Sequence, residues 1–199
     1  MTDGSQLEFE LIAHYDSLVA RAQQSTVDKR FIFGRQVGKG EDRMSDLEKL
    51  QDKAVRYFCE RPKNFPEGRP FNCCESVLMA LKDIIGEETD LIPRIGTGIG
   101  AGVSLNGLLC GSVSSIALAV GMKLGRSGPE MNPQPVWDLM DSYVADFKDK
   151  FGHLNCRELT GLDMKTKEGQ KEYFAMIHDH ACADRIRFAV KKGVEILNK

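Results

Sequence analysis

An all-α fold is predicted by three features of the chain. Apolar residues recur at helical spacing in several windows, no stretch of useful length alternates polar and apolar residues, and one uncharged, glycine-rich run suits a buried central helix. The expected architecture is a compact helical bundle around that Gly-rich buried helix, with an N-terminal helical extension. Residues 1–45 are expected to form an N-terminal helix and linker, and residues 46–199 a helical four-cysteine domain.

Leu7, Leu11, Tyr15, Leu18 and Ala22 repeat at the period of an amphipathic helix over Leu7–Ala22. Ser25–Ser45 loses that period and carries Gly34, Gly38 and Gly40, as a linker or long loop would. Its GRQVGKG segment fails as a phosphate loop, because only three residues separate Gly34 from Gly38 and Gly40 stands where a hydroxyl should follow Lys39. Ser45–Cys59 is predicted helical, with Ser45 as N-cap and Glu48 completing a capping box. Prolines and a glycine over Arg61–Pro70 forbid regular structure. The next helix follows Asn72, carries Val77, Leu81, Ile84 and Ile85 on one side, and closes at Gly86.

Ile95–Met122 runs 28 residues without a charge. Its Gly-dense first half suits an irregular turn, and Gly107–Leu124 a helix in which Gly107, Gly111, Ser115 and Ala119 form a small-residue face beside Cys110. The run is long enough to span a membrane, but its glycine, Ser, Asn and Thr content favours a buried helix instead. Val136, Leu139, Met140, Tyr143, Val144, Phe147 and Phe151 mark a further amphipathic helix, FGHLNCRELTG a short helical turn, and residues 171–199 a long terminal helix.

Length and charge narrow the function classes. A chain of 199 residues buries roughly two-thirds of its unfolded surface, so it needs neither metal nor disulfide to fold. Its net charge of −2, with dispersed basic residues, gives no footprint for nucleic acid or an anionic membrane, and neither is expected as a partner. The N-terminus lacks a basic segment followed by an apolar run, so a cytoplasmic protein is expected. In that compartment the cysteines at 59, 73, 74, 110, 156 and 182 point to metal binding, redox chemistry or packing rather than structural disulfides. No CxxC or CxxCH occurs, which removes the local signatures of zinc ribbons, thioredoxin-like sites and c-type haem.

Asn72-Cys73-Cys74-Glu75 and Asn155-Cys156-Arg157-Glu158 repeat one pattern, an N-cap Asn followed by a cysteine at the first helical position. Free amides and the positive helix end favour a thiolate there, the form that ligates metal. Cys110 lies within a turn of Asn106, and Cys182 follows Asp179 by three, so both are expected at helix starts too. Cys59 ends a helix and is read as structural. His178 and His180 are read as surface residues at a helix start, with a ligand or proton-path role as the alternative.

FNCCESVLMAL, GTGIGAGVSLNGLLCGSVSSIALAVGMKLG, FGHLNCRELTG and HACADRIRFAV together resemble the C_GCAxxG_C_C family of redox-active proteins, over about two-thirds of the chain. The resemblance places the family cysteines on Cys73, Cys110, Cys156 and Cys182. Two hydroxyls near Cys110, on Ser112 and Ser115, depart from the family core, and Cys74 is an additional thiol. The family is similar to the C-terminal part of split-Soret cytochromes, which implies the cluster but, without CxxCH, no haem. The expectation is an iron–sulfur cluster, [2Fe-2S] favoured, held by those four thiols as metal ligands. Gly98, Gly100, Gly102 and Gly111 would be its cofactor-binding backbone, able to approach inorganic sulfur without side-chain obstruction.

Electron transfer to a redox partner protein follows from that reading, and no catalytic residue is assigned. Three alternatives use the same residues: a metal-free thiol–disulfide couple with Cys73 or Cys110 as nucleophile, a structural zinc site, and a non-redox helical binding module. A homodimer is compatible with the amphipathic N-terminal helix. GTGIGA also fits a dinucleotide fingerprint, but no strand precedes it.

Overall fold

The computed structural model describes residues 41–199 apart from 62, 65 and 66, with side chains from residue 46 onward. The expected Leu7–Ala22 helix and the loop over residues 25–40 lie outside the described residues. Among those described, Met44–Lys199 form one compact unit of helices, with no strand.

Helix α1, Glu41–Cys59, buries Ala54 and Phe58 one turn apart. It begins before the predicted start, and Ser45 is inside it rather than capping it. After Gly40 no glycine or proline interrupts the chain, and a single cap, worth about 1 kcal/mol, does not stop a helix that the backbone can extend. The amide of Phe71 returns to the carbonyl of Tyr57 at 3.0 Å, so the proline-bearing connection folds back on α1.

Helix α2, Cys73–Ile85, has the capping box expected from the sequence. Asn72 Oδ1 accepts from the amides of Cys74 (2.9 Å) and Glu75 (3.0 Å), and Glu75 Oε2 accepts from the Asn72 amide at 2.8 Å. Gly86 closes it at φ 77°. Helix α3 spans Gly111–Leu124, helix α4 Gln134–Phe151 and helix α5 Cys156–Thr160. The last rod is continuous: helix α6 (Lys167–Glu172), a π-helical segment Tyr173–Cys182, and helix α7 (Ala183–Leu197).

Helices α2, α3 and α7 pack on one another around Val77, Leu78, Leu81, Ile116, Val120, Ile186 and Val190. Gly193 sets their approach, since a Cβ there would lie 2.6 Å from Leu81 Cδ1 and 2.9 Å from Ile116 Cδ1. Tyr143 and Phe147 of α4 close the core, with the Tyr143 hydroxyl donating to the carbonyl of Ser112 at 2.8 Å. No helix among the described residues is long and apolar enough to cross a membrane.

Two segments depart from the sequence reading. The helix predicted over Gly107–Leu124 starts only at Gly111, because the amides and carbonyls just before it pair elsewhere. Leu109 and Asn155 form an antiparallel bridge, with Cys110 N–H donating to Leu154 O (2.9 Å), Cys156 N–H to Leu108 O (2.7 Å) and Arg157 N–H to Gly107 O (3.0 Å). The short coil Gly100–Leu105 winds with the wrong hand for L-residues: φ is 53° at Ala101, 66° at Gly102, 57° at Val103, 54° at Ser104 and 69° at Leu105. Left-handed backbone costs about 1–2 kcal/mol per non-glycine residue, so surrounding contacts must hold it.

Candidate metal centre

Cys73 begins α2, and the capping box fixes the direction in which the adjacent thiols point. Cys74 is fully buried in the apolar core, while Cys73 remains partly accessible and faces α3. A Cβ at Gly111 would sit 2.2 Å from Cys73 Sγ, so the bare backbone one residue past Cys110 leaves space for this sulfur. The amide of Ala101, first of the left-handed residues, hydrogen-bonds the same sulfur. Cys110 is the N-cap of α3, and Cys156 opens α5; each lies one residue past the Leu109–Asn155 bridge. Gly102 backs Cys156, where a Cβ would fall 2.5 Å from Cys156 Cβ.

Cys182 arrives from the C-terminal rod. The Tyr173 hydroxyl donates to its sulfur at 3.5 Å, and Arg185 Nη1 reaches it at 3.6 Å. Arg185 is anchored by Nη2 on Leu159 O at 2.7 Å and lies 5.9 Å from the Phe151 ring centroid.

The four thiols sense one another. Cys73 is coupled to Cys110 and Cys182, Cys110 to Cys182, and Cys156 to both Cys110 and Cys182. Burial is the largest influence at each of Cys73, Cys110 and Cys156 and pushes their thiols up, Cys156 to about 12. Tyr173 is raised for the same reason, with Cys182, Cys73 and Cys156 adding to it. The expected lowering by helix N-termini is therefore overturned in the metal-free protein. The amides of Ala101 and Ser112 do favour the thiolates of Cys73 and Cys110, but desolvation outweighs them.

All six cysteines are free thiols. Among the described residues no three of the four sulfurs lie within 4.8 Å of one another, whereas one tetrahedral zinc with bonds of about 2.3 Å would draw its sulfurs to about 3.8 Å. The arrangement is wider than a single ion needs. Among the described residues, two buried polar atoms lack an oxygen or nitrogen partner, Ser112 Oγ and Arg185 Nε; they belong to residues two past Cys110 and three past Cys182, and the Ser112 hydroxyl faces the Cys110 sulfur. Buried donors beside four thiols with no oxygen or nitrogen acceptor fit a group carrying acceptor sulfurs.

The predicted helix starts hold at Cys73 and Cys156, although the Asn155 side chain makes no capping bond. Cys110 stands just ahead of its helix, and Cys182 does not begin one at all: Asp179 lies within the π segment. The glycines separate as well. Gly102 and Gly111 touch cysteines, a Cβ at Gly100 would meet Asn72 Oδ1 at 2.0 Å, and Gly98 has nothing within 4 Å. His178 is buried rather than a surface residue, stacked on Phe58 at 4.0 Å, while His180 is exposed. Sequence reasoning missed Tyr173 and Arg185, since an arginine among Ile186 and Ala189 carries no signal that it turns inward. It also missed that Cys59 meets His178 and Asp179.

The family model described as "Putative redox-active protein (C_GCAxxG_C_C)" matches residues 71–196, a span that contains all four converging cysteines. The chain belongs to the C_GCAxxG_C_C family. Neither a curated protein nor a solved structure matches it. As a member of a redox-active family, the protein presents its thiols where α2, the left-handed coil, the Leu109–Asn155 bridge and the π segment meet.

Proposed function

We propose that Cys73, Cys110, Cys156 and Cys182 hold an iron–sulfur cluster, and that the protein exchanges electrons with a redox partner. The observation that carries this reading is the convergence of four free thiols from separate segments, with buried Ser112 Oγ and Arg185 Nε beside them lacking any oxygen or nitrogen acceptor. Four thiolates are the donor set of both [2Fe-2S] and [4Fe-4S] clusters, and [2Fe-2S] is the smaller group to accommodate. Such a cluster supplies single-electron transfer when bound.

The chain's own residues prepare the site. Gly102 and Gly111 keep side chains off Cys156 and Cys73, while the amides of Ala101 and Ser112 donate to Cys73 and Cys110. Arg185 and Tyr173 donate to the Cys182 sulfur. The apolar core behind Cys110 excludes water from one side. A metal-free thiol–disulfide couple is less well supported, because burial raises the thiols that would have to attack as thiolates.

Anaerobic purification followed by absorbance, iron and acid-labile sulfide analysis tests the proposal. A coloured protein with matched iron and sulfide is expected, and two irons per chain would fix the smaller cluster. Protein that stays colourless and iron-free after reconstitution overturns it.

A further inference from the structure

Cys59, the last residue of α1, lies beside the π segment rather than ending in solvent. Its sulfur, a ring nitrogen of His178 and a carboxylate oxygen of Asp179 all lie within 4.8 Å of one another. His178 is held there on several sides. Its ring stacks on Phe58 at 4.0 Å with 20° between planes, meets Tyr173 edge-on at 5.5 Å, and lies 5.1 Å from Phe174. Nδ1 bonds Asp179 Oδ1 at 2.5 Å, and the Cys59 thiol bonds the same carboxylate. Three different donor types are thus gathered around one point, two of them fixed by the fold and the third, Asp179, exposed and free to adjust.

We propose that Cys59, His178 and Asp179 form a second metal site, for a single divalent cation of the zinc type, with its fourth position open to solvent. Zinc accepts this mixture of sulfur, nitrogen and oxygen, at about 2.0–2.3 Å from each. Such bonds place the donors roughly 3–4 Å apart, and the three donors already lie within 4.8 Å of one another. Charge balances too: one thiolate and one carboxylate offset a divalent ion beside a buried ring, with His178 as the neutral ligand. Burial, followed by the Asp179 carboxylate, now pushes the Cys59 thiol up to about 11, and an ion between the two groups would relieve both effects. Three protein ligands with one open position is the pattern of zinc sites that bind water or a small ligand, rather than of closed structural sites. Packing alone accounts for a half-buried Cys59, but not for an imidazole and a carboxylate gathered against its thiol.

This site shares no donor with the four-cysteine cluster, although Tyr173 touches both His178 and Cys182 and the Cys59 thiol senses Cys182. The test uses full-length protein reconstituted with iron and sulfide, titrated with zinc and desalted. Zinc and iron are counted separately, and X-ray absorption at the zinc edge counts sulfur ligands. The expected result is one zinc per chain with one sulfur ligand, lost in Cys59→Ser and in Asp179→Asn, while iron content is unchanged. Asp179→Asn alters an exposed side chain, so it reports on the site even where Cys59→Ser weakens α1. No retained zinc, zinc kept equally by both variants, or zinc with four sulfur ligands would overturn the proposal. The iron count stands or falls separately, so failure of one site does not obscure the other.

Discussion

If the four thiols hold the proposed cluster, replacing Gly111 by Ala should abolish its binding while leaving the fold intact. The new Cβ would be built 2.2 Å from Cys73 Sγ and 3.1 Å from the backbone nitrogen of Cys74. The nitrogen belongs to the capped first turn of α2 and cannot yield, so the sulfur must rotate to another staggered rotamer. Overpacking of this kind costs about 1–3 kcal/mol, partly offset by the helix preference of Ala over Gly, up to about 1 kcal/mol. For a domain of this size each kcal/mol moves the melting temperature by about 2–4 °C, so a fall of at most about 10 °C is expected. Bound iron should fall far more steeply, because a rotated Cys73 no longer faces the other thiols. Gly98→Ala is the matched control: nothing lies within 4 Å of its Cβ position, so both readouts should match the parent. Thermal melts and iron analysis of the two reconstituted variants decide the matter. Normal iron content in Gly111→Ala, or equal loss in Gly98→Ala, would refute the reasoning.

Asn72→Ala should destabilise the protein by about 0.5–2 kcal/mol, since two amides lose their acceptor, whereas Asn155→Ala, which removes no capping bond, should change it by less than about 0.5 kcal/mol; urea midpoints compare them. The pH response of the metal-free protein follows from thiols raised on folding. Cys74 and Cys156 stand at about 12, above the ordinary thiol value, so their contribution is complete below about pH 9. It is lost as pH rises from there towards 12, by up to about 1.4 kcal/mol per pH unit for each thiol, and unfolding midpoints measured from pH 8 to 10.5 should therefore decline. Metal loading should release protons and tighten with rising pH, which dye-monitored proton counts would show. Arg185→Gln removes a positive charge and a donor from Cys182, so the reduction potential of the reconstituted centre should become more negative; an unchanged potential in voltammetry would remove Arg185 from the site.

Local chemistry made part of this molecule legible in advance. Period and punctuation fixed α2, α4 and the terminal helix to within a few residues, because apolar spacing, Gly86 and the Asn72–Glu75 box act over one or two turns. The same short-range logic set Cys73 at a helix start, and the family resemblance of the flanking motifs gathered the four cysteines into one candidate set. What the sequence could not decide depends on partners far along the chain. Gly107–Cys110 leaves the helix because Leu154–Arg157 supplies its hydrogen bonds, and Ala101–Leu105 winds left-handed because its surroundings hold it there. Desolvation, a property of the assembled core, reverses the thiol preference that helix ends alone would give. The π segment runs through Asp179 and Cys182, so no helix starts there, and His178 turns inward against Phe58 instead of lying on the surface. Residue type and local spacing thus determined which groups were available for chemistry, and tertiary packing determined which of them meet, because burial and cross-chain hydrogen bonds arise only when distant segments come together.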